Sequence, residues 1–152
     1  MKSQRGFSLI ELLIVVAIIL IISAIAIPSL IRSKMAANES SAVASLRTIN
    51  VAQITYNNVY PASFATLVQL GPNANPCIRP TAAGACLIDN LLASGTKSGY
   101  TFVIGGVSST GYTSTATPSA AITGTRQFCT DVNLVIFYSP TNSGCTIGTK
   151  PL

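Results

Sequence analysis

Four carboxylates, Glu11, Glu39, Asp89 and Asp131, and four thiols, Cys77, Cys86, Cys129 and Cys145, are the side chains best equipped for chemistry, and the chain has no histidine. Acid/base catalysis needs two titratable groups brought together, one of them tuned toward neutral pH. The four acids are scattered along the chain and suggest no such pair, so no catalytic residue is assigned and the chain does not read as an enzyme. No cofactor or metal is implied either, because neither cysteine pair has the short C-x-x-C spacing of a zinc knuckle. Disulfides in an oxidising compartment suit the thiols better. Four cysteines allow three connectivities. Short separations favour local closure, Cys77 with Cys86 and Cys129 with Cys145.

Glu11 stands near the start of "GFSLIELLIVVAIILIISAIAIPSL", Gly6 to Leu30, a stretch long and apolar enough to cross a hydrocarbon core of about 30 Å. Two kinds of segment fit. Lys2 and Arg5 before an apolar core, with Ala24-Ile25-Ala26 as an A-x-A site, describe a secretory signal whose removal after Ala26 would release a soluble binding protein. An ordinary signal gains nothing from an ionised side chain. If the cut falls after Gly6 instead, Phe7 carries a new ammonium one helical turn from Glu11, about 6 Å along the axis. Near the segment's end the carboxylate can snorkel, or it can find its partner in the terminal ammonium of a neighbouring copy.

The run Gly6-Phe7-Ser8-Leu9-Ile10-Glu11-Leu12, after a short basic leader and before an apolar stretch to Pro28, resembles the class III signal of type IV pilins and type II secretion pseudopilins. The resemblance covers roughly residues 1 to 35. It implies cleavage between Gly6 and Phe7 by a prepilin peptidase at the cytoplasmic face, N-methylation of Phe7, and packing of the apolar helices into a filament core in which Glu11 pairs with Phe7 across subunits. It also implies an inner-membrane precursor, an assembly platform with its ATPase, and an extracellular homopolymer. Many members have a glycine where this chain has Leu20, which leaves Pro28 as the helix break. The pseudopilin remains the alternative within this resemblance.

These functions need elements to carry them. The leader is assigned to residues 1–6, a membrane or filament-core helix to 7–28 and its amphipathic continuation to 29–58. Ala42, Leu46, Ile49 and Tyr56 fall on one stripe, with Val43 and Ile54 beside it. A connecting region over 59–98 holds short helical signals at "SFATLVQL" and "CLIDNLLA", separated by Pro, Gly and Asn. From 99 to 152 the pattern alternates, predicting strands at "YTFVIG", "GYTSTATP", "RQFCTD" and "LVIFY". The expected fold is α+β: a long N-terminal helix on a small antiparallel sheet of about four strands, with a C-terminal disulfide loop.

Composition agrees with an exported, weakly charged subunit. The 152 residues are 49% hydrophobic and 9% charged, with nine Lys and Arg against four acids, and mean hydropathy is +0.54. Without Lys2 and Arg5 the excess of cations is small, and no basic run interleaved with aromatics marks a dedicated nucleic-acid site. Asn38-Glu39-Ser40 matches a glycosylation sequon but lies within a predicted helix.

Overall fold

Between Gly6 and Gly71 the chain has no glycine and a single proline before Pro61, and Ala, Leu, Ile and Ser fill most of the span, so little interrupts a helix. In the computed structural model, which describes residues 7–74, 77–141, 144–148 and 150–152, helix α1 runs from Leu9 to Val59. It ends where Pro61 disfavours helical geometry at Tyr60. Pro28 lies inside it, and the helix continues through that residue. A proline removes one backbone donor and crowds the preceding turn, and the intact hydrogen bonds on either side carry the helix past it.

The chain divides into two compact units, Met1–Lys34 and Met35–Leu152. In the first, every described residue is exposed except half-buried Ser23, including the apolar run from Leu9 to Ile31. That length and composition suffice to cross a membrane.

The second unit holds the core. From α1 it takes Ala42, Val43, Leu46, Ile49, Ala52 and Tyr56. Ile54 is exposed and is not part of the stripe, whereas Asn50 and Gln53 are buried. At about 100° per residue Gln53 returns to within about 20° of Leu46, and Ile54 swings about 80° away.

Against this stripe lies a five-stranded antiparallel meander in the order β1-β2-β3-β4-β5. The strands are β1 (Thr96–Lys97), β2 (Tyr100–Gly105), β3 (Thr113–Pro118), β4 (Gln127–Asp131) and β5 (Ile136–Ser139). The first three of the last four fall within the predicted strands, and β5 begins two residues later than "LVIFY", leaving Leu134 and Val135 in the turn. The fifth, β1, is a two-residue edge paired through Thr96 with Thr101 and Lys97 with Tyr100, so the sheet begins inside the region expected to connect. Its hairpin turns on Ser98 and Gly99, both at positive φ. A Cβ at Gly99 would meet Thr123 at 2.8 Å, so glycine is needed there on both counts.

Alternation decides the buried face: Tyr100 and Phe102 on β2, Ser114 and Ala116 on β3, Phe128 and Thr130 on β4, and Ile136 on β5. Cys129 points the other way and is bonded to Cys145, with Cα atoms 5.8 Å apart. The C-terminal residues then cover the free edge of β5. Tyr138 N–H donates to Lys150 O, and Leu152 N–H to Ile136 O, both at 2.8 Å. An unpaired edge invites other strands, and the tail closes this one.

The expected helices of the connecting region shrink to single turns, α2 (Leu67–Leu70) and α3 (Asn90–Ala93). Each is held by its cap: Thr66 and Gln69 form a reciprocal capping box, and Asp89 accepts from Leu92 N–H at 2.9 Å while pairing with Lys97 at 2.7 Å. The bonded Cys77 and Cys86 close the loop between them.

Candidate assembly site

Ser8 immediately precedes α1, and Glu11 is the third residue of the helix. The Ser8 N–H donates to Glu11 Oε2 at 3.4 Å, and Ser8 O accepts from Leu12 N–H at 3.2 Å. This is the carboxylate half of a capping box, in which an acid at the third position satisfies an amide that the helix leaves unpaired. The positive end of the helix dipole favours the same placement. In the sequence, Ser8-Leu9-Ile10-Glu11 carries the S-x-x-E signal, which a role for Glu11 between subunits leaves unused. No hydrogen bond to Glu11 Oε1 occurs among the described residues, so one oxygen remains available. Phe7 is 79% exposed, and Gly6 lies outside the described residues.

The second unit contains an acid that sequence reading left idle. Glu39 is 6% exposed, and its Oε1 accepts from the backbone N–H of Thr125 at 2.9 Å, the Thr125 hydroxyl at 3.1 Å and the backbone N–H of Arg126 at 3.1 Å. Its Oε2 accepts from Arg126 Nε at 2.7 Å. Burial alone would push this carboxyl up, but the donors of Thr125 and Arg126 together hold it below its ordinary value. The spacing Glu39, Ala42, Val43, Leu46 places the acid on the core stripe, the one signal from which its burial could be read. Arg126 then spans from this carboxylate to the rings of Phe128 and Tyr138, 5.6 and 5.8 Å from their centroids.

Farther along the same stripe two more polar residues fix other segments. Asn50 donates to the Thr130 hydroxyl at 3.0 Å and accepts from Tyr112 Oη at 2.9 Å. Gln53 makes both amide bonds to the backbone of Ala65, at 2.7 and 2.8 Å. Glu39, Asn50 and Gln53 therefore hold different parts of the head at successive heights on the helix, and these three are paired as burial requires. Asn38 of the apparent sequon is used in the same way, donating to Thr123 O at 2.9 Å.

Burial pushes the phenols of Tyr100 and Tyr112 up to about 12, helped for Tyr100 by Glu39 and for Tyr112 by Asp131. For an acid raised from 10, the folded state holds its proton longer than the unfolded one, so this stabilisation is complete below pH 10 and is lost between pH 10 and about 12. We expect Tm to fall steeply over that interval. Tyr112→Phe should flatten the fall, as read by circular dichroism melts at stepped pH.

The architecture is thus an apolar N-terminal helical segment, exposed among the described residues, whose continuation is keyed into an antiparallel head. Residues 1–27 match the family described as the prokaryotic N-terminal methylation motif. The type IV wide pilus major component PilA4 of Thermus thermophilus is 40% identical over 79 residues, which cover 50% of this chain and 60% of that protein. The type IV major pilin protein PilA of Myxococcus xanthus is 48% identical over 53 residues, 35% of this chain and 24% of that protein. Over these matched parts the chain is similar to type IV pilins, and its first residues carry the methylation motif. Its matched part spans less than two thirds of each relative, and both relatives are named as pilus components.

Proposed function

We propose that this chain is a structural subunit of a type IV pilus, held in the inner membrane by the first part of α1 and then polymerised through it into an extracellular filament. The observation that carries this reading is the apolar run from Leu9 to Ile31, exposed along its length and opened by Phe7 and Glu11 within the matched motif. Such a surface must be covered by lipid before assembly and by other copies after it. A prepilin peptidase would cut between Gly6 and Phe7, and methylation would leave the Phe7 amine cationic. The carboxylate of Glu11, with Oε1 unoccupied, could then accept that ammonium from a neighbour, the apolar surroundings strengthening the attraction and desolvation opposing it. An assembly platform and ATPase would supply the work of extraction. Pro28, with one backbone bond already missing, is where the helix would yield if packing demanded it.

Two measurements test this reading. Intact mass of the native protein should give a chain beginning at Phe7 with one added methyl group, whereas a chain beginning at Ile27 would support a secreted soluble protein. With Glu11→Ala as the sole copy, the subunit should remain in the membrane while sheared filament falls at least tenfold. Wild-type filament yield would leave Glu11 as a helix cap alone.

A further inference from the structure

The turn joining β4 to β5 exposes Val132, Leu134 and Val135, each 42% accessible, at one end of the sheet. Leu134 has φ +65, a left-handed conformation that a bulky side chain rarely adopts and that Gly or Asn accommodates readily. Asn133 is the adjacent residue, yet the strained position is given to an exposed leucine. The Leu134 N–H closes the turn on Asp131 O at 2.9 Å, which fixes the backbone there without calling for an apolar side chain. Strain of this kind persists where the surroundings fix it and often marks a working surface. Asp131 braces the turn by accepting from the backbone and side chain of Asn133 at 3.0 and 2.9 Å, and it pairs with no cation among the described residues.

On the exposed face of α1 in the same unit, a shallow groove of about 420 Å³ is lined by Thr48, Val51, Ala52, Thr55 and Leu87, with Arg47 at its rim. Val51 is 65% exposed, and Arg47 pairs with no acid among the described residues. The turn is therefore an apolar projection with an uncompensated anion, and the groove an apolar depression with an uncompensated cation. Of the other unpaired cations of this unit, Lys150 stands beside Tyr138, Ser139 and Pro140, and Arg79 lies in the loop closed by Cys77 and Cys86. The groove beside Arg47 has aliphatic walls in Val51, Ala52 and Leu87 to match the turn.

We infer that the β4–β5 turn of one copy seats in the groove beside Arg47 of the next, with Leu134 against Val51 and Leu87 and Asp131 facing Arg47. The occupant is a second copy of this chain. The two surfaces are different patches of one molecule, so the contact is head-to-tail, and repeating it produces an open helical array rather than a closed dimer. This deepens the pilus reading and rests on it.

The test is cross-linking in the full-length chain expressed in its own membrane. Val51→Cys and Leu134→Cys are combined in one chain and treated with a short bismaleimide, which spares the oxidised native pairs. A ladder of multimers from the double variant, absent from either single variant, is the expected result. No ladder, or equal ladders from the single variants, overturns the contact. Membrane and sheared fractions are read separately, so a ladder in membranes without filaments upholds the contact and overturns the filament reading. Arg47→Glu should reduce filament yield at least fivefold, and adding Asp131→Lys should recover most of it. Leu134→Gly relieves the backbone strain, so Tm should hold or rise while filament yield falls at least tenfold. A wild-type yield from that variant would also overturn the proposal.

Discussion

Glu39→Leu is expected to destabilise the second unit by about 3 kcal/mol, because it strands two backbone donors, a hydroxyl and a guanidinium that now share one buried carboxylate. A value at the low end for a buried pair suits a partner such as Arg126, whose side chain is 43% exposed and can turn to water. For a unit of this size Tm should fall by roughly 10 °C. Glu39→Gln keeps an acceptor for the backbone amides but loses the charge, and should cost about half as much. The pH dependence separates the two contributions. The folded-state pKa of Glu39 is lowered from 4.5, so its ionic contribution is complete above that value and is lost as pH falls through the folded one. The difference in Tm between wild type and Glu39→Gln should therefore be constant near neutrality and shrink toward zero in acid. A difference that grows as pH falls would show that the amide disturbs packing rather than removing charge.

The second large effect is expected from Cys129→Ala with Cys145→Ala. A bond closing a separation of 16 residues restrains the unfolded chain by about 3 kcal/mol in the loop-entropy account. Here it also holds the segment that leads to the edge-covering residues Lys150 to Leu152. Loss of stability should therefore be accompanied by local opening. Hydrogen exchange at the amides of Tyr138 and Leu152, which bond across this edge, should accelerate more than that at Phe102, whose amide bonds to Gly95 O toward the opposite edge. Removing Cys77 and Cys86, separated by 9 residues, should cost slightly less, about 2.5 kcal/mol, and leave the β5 edge protected. Equal exchange at both ends of the sheet would show that the tail holds without its bond.

Much of this molecule was legible from local pattern. The apolar run after Phe7, the acid at position 11 and the absence of glycine up to Gly71 determine a long helix, because they act through neighbours along the chain. Period-two alternation likewise determined β2 to β5. The two-residue β1 carries no period of its own, and only its pairing with Tyr100 and Thr101 makes it a strand. The connecting helices were overextended because their apolar residues serve the core of the unit, while capping by Thr66 and Asp89 limits each to one turn.

What remained hidden was where polar side chains go. An acid within a helix reads as a solvated charge unless its position on the stripe is weighed, and the partners of Glu39 lie 86 and 87 residues away. Asn50 and Gln53 were passed over in favour of Ile54 because hydropathy ranks the isoleucine for burial, whereas helical phase and available hydrogen-bond partners rank the amides. The sequence by itself determined the helix, the strands and the N-terminal signal, all of which depend on short-range order and on the cost of exposing or burying apolar surface. Tertiary structure decided which polar groups lock the head to α1, which edge the tail covers and where Leu134 is held in strain. Those outcomes depend on hydrogen-bond geometry between segments far apart in the chain, and no periodicity encodes it.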